Sequence, residues 1–192
     1  MDDDEPTEET FTPPLHLGTL LVAHPALRDP NFTKTVILIT AYDTEEGAMG
    51  IVLNRPLGTT LGEQSMQFAG GPLGNVPLYF GGPVSGGEVL LAAWRQLPEQ
   101  QTFQLFFGIS EDKATELINT DPAIEVRAFQ GYSGWGESQL EGEFTQNAWL
   151  PANAAVHDLS EAIGEDFWRD LILTLRPELI FLADAPDDLS RN

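Results

Sequence analysis

The chain contains no cysteine, only three histidines, and nine lysines and arginines in 192 residues. Without cysteine, disulfides and thiolate metal sites are excluded. His16, His24 and His157 have none of the spacings of a histidine metal site and no HExxH pair, so no metal centre is expected. Long apolar runs are missing too: nothing reaches the roughly 18 residues of a membrane-spanning helix. The first residues form neither a basic n-region nor an apolar h-region, and the expectation is a soluble cytoplasmic protein with no membrane contact.

The shortage of basic residues is matched by an excess of acid. Thirty aspartates and glutamates give a net charge of −21. Six of them lie in residues 1–13 and three near the C-terminus (Asp184, Asp187, Asp188). With these nine and Arg191 set aside, 21 acids face eight basic residues, about −13, so the body itself is acidic. DNA binding needs clustered Lys and Arg to displace counterions from phosphates. Here the basic residues stand singly along the chain, without a stripe or an arginine-rich arm, which argues against direct nucleic-acid binding. The charge reads as a soluble, self-repelling surface or as a face for a basic partner.

What is present points to one domain over residues 14–192 behind an acidic, disordered tail at residues 1–13. Thr19–Ala23 reads as a strand, Thr35–Ala41 as a buried, β-branched central strand, and Gly47–Leu53 as its hairpin partner. Further strands are expected at Pro77–Phe80, Glu88–Trp94, Phe103–Phe107 and Ala123–Phe129. A short helix is expected at Leu61–Phe68, one capped by Ser110, one containing Gln139–Phe144, and the longest near Glu165–Leu175. Strands and helices alternate without a βαβ repeat, which predicts an α+β fold: a mixed sheet with helices packed on it.

Three glycine-rich blocks are the most distinctive segments: Gly47–Pro56 (GAMGIVLNRP), Tyr79–Val84 (YFGGPV) and Gly131–Glu143 (GYSGWGESQLEGE). Glycine weakens ordinary strands, so such blocks imply unusual backbone geometry or a close approach. Asn54 and Arg55 end the third strand. Arg55 can clamp a carboxylate or phosphate, or pair with a local acid. Gly81, Gly82 and Pro83 can form an anion-binding nest or a sharp structural loop, but lack the Lys-Ser/Thr ending of a P-loop. Ser133 sits in GYSGW, which lacks the second glycine of the GxSxG nucleophile motif. Glu141 and Glu143 stand about 200° apart on a helix and do not share a site. Tyr132, Trp135 and Gln139 complete a set of ligand-binding candidates with Asn54, Arg55, Gly81, Gly82, Pro83 and Gly131. No catalytic residue is singled out, and no cofactor is expected.

Together with GTLLVAHPALRDPNFTKTVILIT at Gly18–Thr40, these blocks resemble the AlgH/YqgE family over roughly Leu15 to Leu175. The resemblance implies a branched, mixed β-sheet folded towards a pseudo-barrel, with flanking helices. It also implies the family's transcriptional-regulator role, linked to exopolysaccharide control. Together with the charge, that points to a non-catalytic regulatory or interaction protein acting indirectly, through a protein partner or a small anionic ligand. The alternative is a small-molecule-binding protein or enzyme whose pocket the glycine-rich blocks form.

Overall fold

The computed structural model describes residues 15–184 apart from Gln101, so the acidic tail at residues 1–13 lies outside the described residues. The elements run β1 (Thr19–Ala23), β2 (Val36–Asp43), β3 (Gly47–Val52), β4 (Pro56–Thr60), α1 (Leu61–Gln64), β5 (Pro77–Phe80), β6 (Val84–Leu97) and β7 (Thr102–Phe107). They continue with α2 (Glu111–Thr120), β8 (Glu125–Trp135), α3 (Gln139–Thr145), β9 (Trp149–Asn153), α4 (Gly164–Leu175) and α5 (Ile180–Ala183). The α+β expectation and the mixed, branched sheet are borne out. The sheet stays open and is not closed into a barrel.

Its main path is β4-β5-β8-β3-β2-β1-β9, with β6 branching from β8 and carrying β7 on its other edge. Strands β5 and β8 pair in parallel, and the other pairs are antiparallel. The expected hairpin joins β2 to β3, with Asp43 Oδ1 accepting from the backbone N–H groups of Glu45 and Glu46 in its turn.

Both faces of the branch are buried, because alternate residues of β6 and β8 feed two cores. Ala92, Trp94 and Phe129 join the larger core of β1–β3 and the α4 stripe Phe167, Trp168, Leu171 and Ile172. Leu91, Ala93, Val126 and Ala128 join a smaller core under α2, where Ala114 and Leu117 pack with Leu61, Leu73 and Leu78. Ser110 caps α2 as expected, its Oγ accepting from Lys113 N at 3.2 Å.

Three departures from the sequence reading have local causes. The first helix stops at Gln64 instead of Phe68: Thr60 and Glu63 close a capping box at its start, but Ser65 is already extended. Gly62 is held there by a bond to the Gly74 carbonyl, so residues 65–76 turn back on themselves. Strands β4 and β9 begin with or contain proline (Pro56, Pro151), and both are outer strands of the main path, where a missing N–H is tolerated. Strand β8 runs on through the glycines to Trp135, six residues beyond Phe129.

Candidate functional site

The three glycine-rich blocks meet where the sheet branches. Over Ala128–Gln130, β8 pairs with β5; over Ser133–Trp135, it pairs with β3. Gly81 sits at the changeover. Its N–H donates to the Gln130 carbonyl at 2.9 Å, and its carbonyl accepts from Val52 N at 3.0 Å and from the Ser133 hydroxyl at 3.3 Å. Backbone presses on backbone there. A Cβ on Gly81 would stand 2.2 Å from the Gly131 carbonyl oxygen, and one on Gly131 would stand 2.5 Å from that of Gly82. Gly131 also has φ +71°, a conformation that side chains disfavour. Gly82 lies against the Tyr132 carbonyl, Pro83 is exposed, and the half-buried Tyr132 ring packs on the larger core.

Asn54 and Arg55 leave this junction towards the 30–34 loop. Asn54 is buried; its Oδ1 accepts from Val36 N at 2.9 Å, and its Nδ2 donates to the carbonyls of Lys34 (3.0 Å) and Gly164 (2.8 Å). Arg55 donates to the carbonyls of Asn31 (2.7 Å), Pro30 (3.3 Å) and Thr33 (2.8 Å), with its guanidinium 5.8 Å from the Phe80 ring centre. Burial draws its pKa down, while Glu165 and Asp29 oppose that shift. Its partners are therefore carbonyls, where the sequence pointed to a phosphate or an acid.

Trp135 and Gln139 belong to a separate cluster around Glu143. The Trp135 and Trp149 indoles both donate to Glu143 Oε2, at 2.9 and 2.7 Å, and Gln139 Nε2 donates to Oε1 at 3.1 Å. The two indole rings meet edge to face, 6.1 Å between centres. Glu141 instead accepts the Tyr42 hydroxyl at 2.7 Å, a bond that is the main cause of the raised Tyr42 pKa. The two helix carboxylates therefore face different partners, as their spacing implied.

Sequence reasoning missed Arg127, which stands in β8 as one scattered basic residue. It is 2% exposed and donates to the carbonyls of Leu53, Ala162, Leu159 and Ser160, and through Nε to Glu125 Oε1 at 2.6 Å. Its guanidinium lies 4.5 Å from the Tyr79 ring centre and 5.1 Å from that of Trp94. Burial pushes the Glu125 carboxyl up, with Arg127 pulling the other way. The one sequence signal was an arginine set among Val126, Ala128 and Phe129 in an expected strand, two residues after Glu125. Among the described residues, no group of three or more His, Asp and Glu side chains is arranged to hold a metal ion. Clefts of about 630, 420 and 240 Å³ are lined by residues other than the nine candidates.

The model of the AlgH-like family matches residues 20–179. A UPF0301 protein of Streptomyces coelicolor is 36% identical over 191 residues, covering 91% of this chain and 94% of the relative. A UPF0301 protein of Chlorobaculum tepidum is 33% identical, covering 88% and 92%. Among solved structures, a Corynebacterium diphtheriae protein matches in fold with a TM-score of 0.65 at 21% identity, over 88% of this chain and 91% of that one. The AlgH protein of Pseudomonas aeruginosa matches with a TM-score of 0.59 at 25% identity, over 92% and 98%. The branch-point blocks and Arg127 all fall inside the matched span, and the chain belongs to the AlgH-like family.

Proposed function

We propose that this chain is a non-catalytic regulatory or interaction protein, acting in the cytoplasm through a protein partner and not by gripping DNA. One observation carries the reading: the polar groups of its fingerprint are spent inside the chain, on its own backbone and on one another. Asn54 and Arg55 hold the 30–34 loop, and the Gly81 carbonyl takes two donors. The Ser133 hydroxyl is fully buried. These are the joints of a scaffold, whereas catalysis calls for preorganised groups aimed at a reacting atom. The basic residues support the same reading. Arg95, Lys113, Arg169 and Arg176 are each paired with a carboxylate, which leaves them poorly placed to neutralise phosphates.

A small anionic ligand at the glycine-rich blocks is the second reading, favoured by the meeting of Gly81, Gly82 and Gly131 beside Tyr132 at one junction. A thermal-shift screen over nucleotides, phosphosugars, acidic metabolites and metals separates the two. A ligand at 100 times its Kd stabilises by about 2.7 kcal/mol, a readable shift. Silence across the panel is expected; a hit lost in Tyr132→Ala would favour the second reading. Duplex DNA titrated at low salt should not bind, and binding with the salt slope of several phosphate contacts would overturn the first.

A further inference from the structure

Strand β6 is 14 residues long, but β7 covers only Ala92–Leu97 of it. After Phe107 the chain turns at Gly108, and Ile109 N donates to the Leu91 carbonyl at 3.3 Å before α2 begins. Beyond that bond, the edge of β6 opposite β8 has no strand partner among the described residues. Strand alternation aims the N–H and C=O of Val89 to the same side as the Leu91 carbonyl, into this opening. The Val89 side chain is 44% exposed, and a Cβ on Gly86 or Gly87 would meet nothing within 4 Å.

The opening is a cleft of about 630 Å³ between Val89–Leu91, Leu61, Phe68 and the start of α2. That volume lies within the range of about 300–1,000 Å³ usual for ligand sites. Apolar side chains of Leu61, Phe68, Val89 and Ile109 line one part of it and the polar start of α2 (Ser110, Glu111, Asp112) the other, and Gln67 Nε2 donates to both Glu111 carboxylate oxygens, at 3.1 and 3.2 Å. Glu111 and Asp112 are the charged residues of its lining, and exposed Glu88, next to Val89 in the strand, projects to the opposite face of β6. A second copy of this acidic chain would bring like charges together, and charged edge residues discourage such self-pairing.

We propose that the uncovered edge of β6 at Val89 receives an extended, basic segment of a protein partner by strand addition, with apolar side chains entering the cleft, the Lys or Arg between them meeting Glu88 on the opposite face, and a flanking Lys or Arg on the cleft side meeting Glu111 and Asp112. The inference rests on the interaction reading above and adds the place and the chemistry of the contact. Main-chain bonds to the strand edge supply affinity, while alternate side chains supply selectivity.

The test is an NMR titration of the full chain with a capped hexapeptide, Lys-Val-Lys-Val-Lys-Lys, whose last lysine lies on the valine face. Two control peptides accompany it: one with glutamate for lysine, and one N-methylated at alternate backbone amides. The lysine peptide should shift the amide signals of Val89, Leu91 and Ile109–Asp112, and neither control should bind. The double variant Glu111→Gln/Asp112→Asn should weaken binding about tenfold. Val89→Lys, which leaves α2 untouched, should weaken it similarly. Equal binding by the N-methylated peptide, shifts confined to another face, or no binding at all would overturn the proposal. A photo-crosslinker at Val89 and another at exposed Phe181 keep the two readings apart. A specific partner caught only from Phe181 leaves the interaction reading standing and removes this one.

Discussion

Asn54 and Gly164, 110 residues apart, hold each other by two reciprocal bonds: Asn54 Nδ2 donates to the Gly164 carbonyl at 2.8 Å, and Gly164 N donates to the Asn54 carbonyl at 2.8 Å. The end of β3 is thereby fastened to the first turn of α4. Asn54→Ala strips the side-chain half of this contact and also orphans Val36 N. The expected cost is about 2–4 kcal/mol, from several buried groups left unpaired. Urea unfolding followed by circular dichroism checks it. Asn54→Asp should cost at least as much, because it keeps the acceptor but loses both donors and buries a charge.

Arg127 is the second joint. Arg127→Met keeps much of the volume but takes a donor from four carbonyls, of which Leu159's still accepts from Ala162 N, and removes the counter-charge of the Glu125 carboxylate. A loss of about 3–5 kcal/mol is expected. Adding Glu125→Gln should restore part of it by removing the stranded charge. Arg127→Lys should not rescue, since an ammonium cannot reproduce the planar fork that spans these acceptors. Denaturant midpoints of the three variants decide the point.

Two histidines should make the fold less stable towards acid pH. Burial lowers the pKa of His24, with Arg176 adding to the effect, and burial lowers that of His157. His24 Nδ1 also accepts from Ala26 N at 3.1 Å, a bond the imidazolium cannot take. The unfolded chain therefore takes up these protons first as pH falls. Stability is fully present above the ordinary histidine value of 6.5 and is lost as pH drops from there through the lower folded values. Urea midpoints at pH 7.5 and 5.5 should differ in that direction. His24→Gln/His157→Gln should flatten the slope.

Glu143 gathers two indole N–H groups on one oxygen, so Glu143→Ala should leave Trp135 and Trp149 without their acceptor. The expected loss is about 1–3 kcal/mol, with a change in the near-ultraviolet dichroism of the edge-to-face pair. Retention of both stability and spectrum in the variant would count against this arrangement.

Much of the fold was legible because burial and period coincide. Val36–Ile39 is a β-branched, fully buried run, and the α4 stripe of Phe167, Trp168, Leu171 and Ile172 repeats at helical spacing. Strands β4 and β9 escaped because Pro56 and Pro151 look like breakers until the strand is known to be an outer one. The β8 extension escaped because Gly131 and Gly134 read as punctuation, whereas at Gly131 the branch point needs backbone without a side chain. The candidate residues were identifiable as unusual, but their partners were not. Carbonyls that satisfy Asn54, Arg55 and Arg127 come from segments about 20 to 110 positions away, and no local pattern encodes them.

The central claim is that the glycine-rich blocks are structural joints, and Gly81→Ala tests it most directly. With 2.2 Å between the new Cβ and the Gly131 carbonyl oxygen, the β3–β5–β8 junction has to open. Guanidinium unfolding of the variant should show a loss of about 3 kcal/mol or more, or no cooperative transition. A variant that unfolds at the wild-type midpoint and instead loses a small-ligand thermal shift would contradict the account.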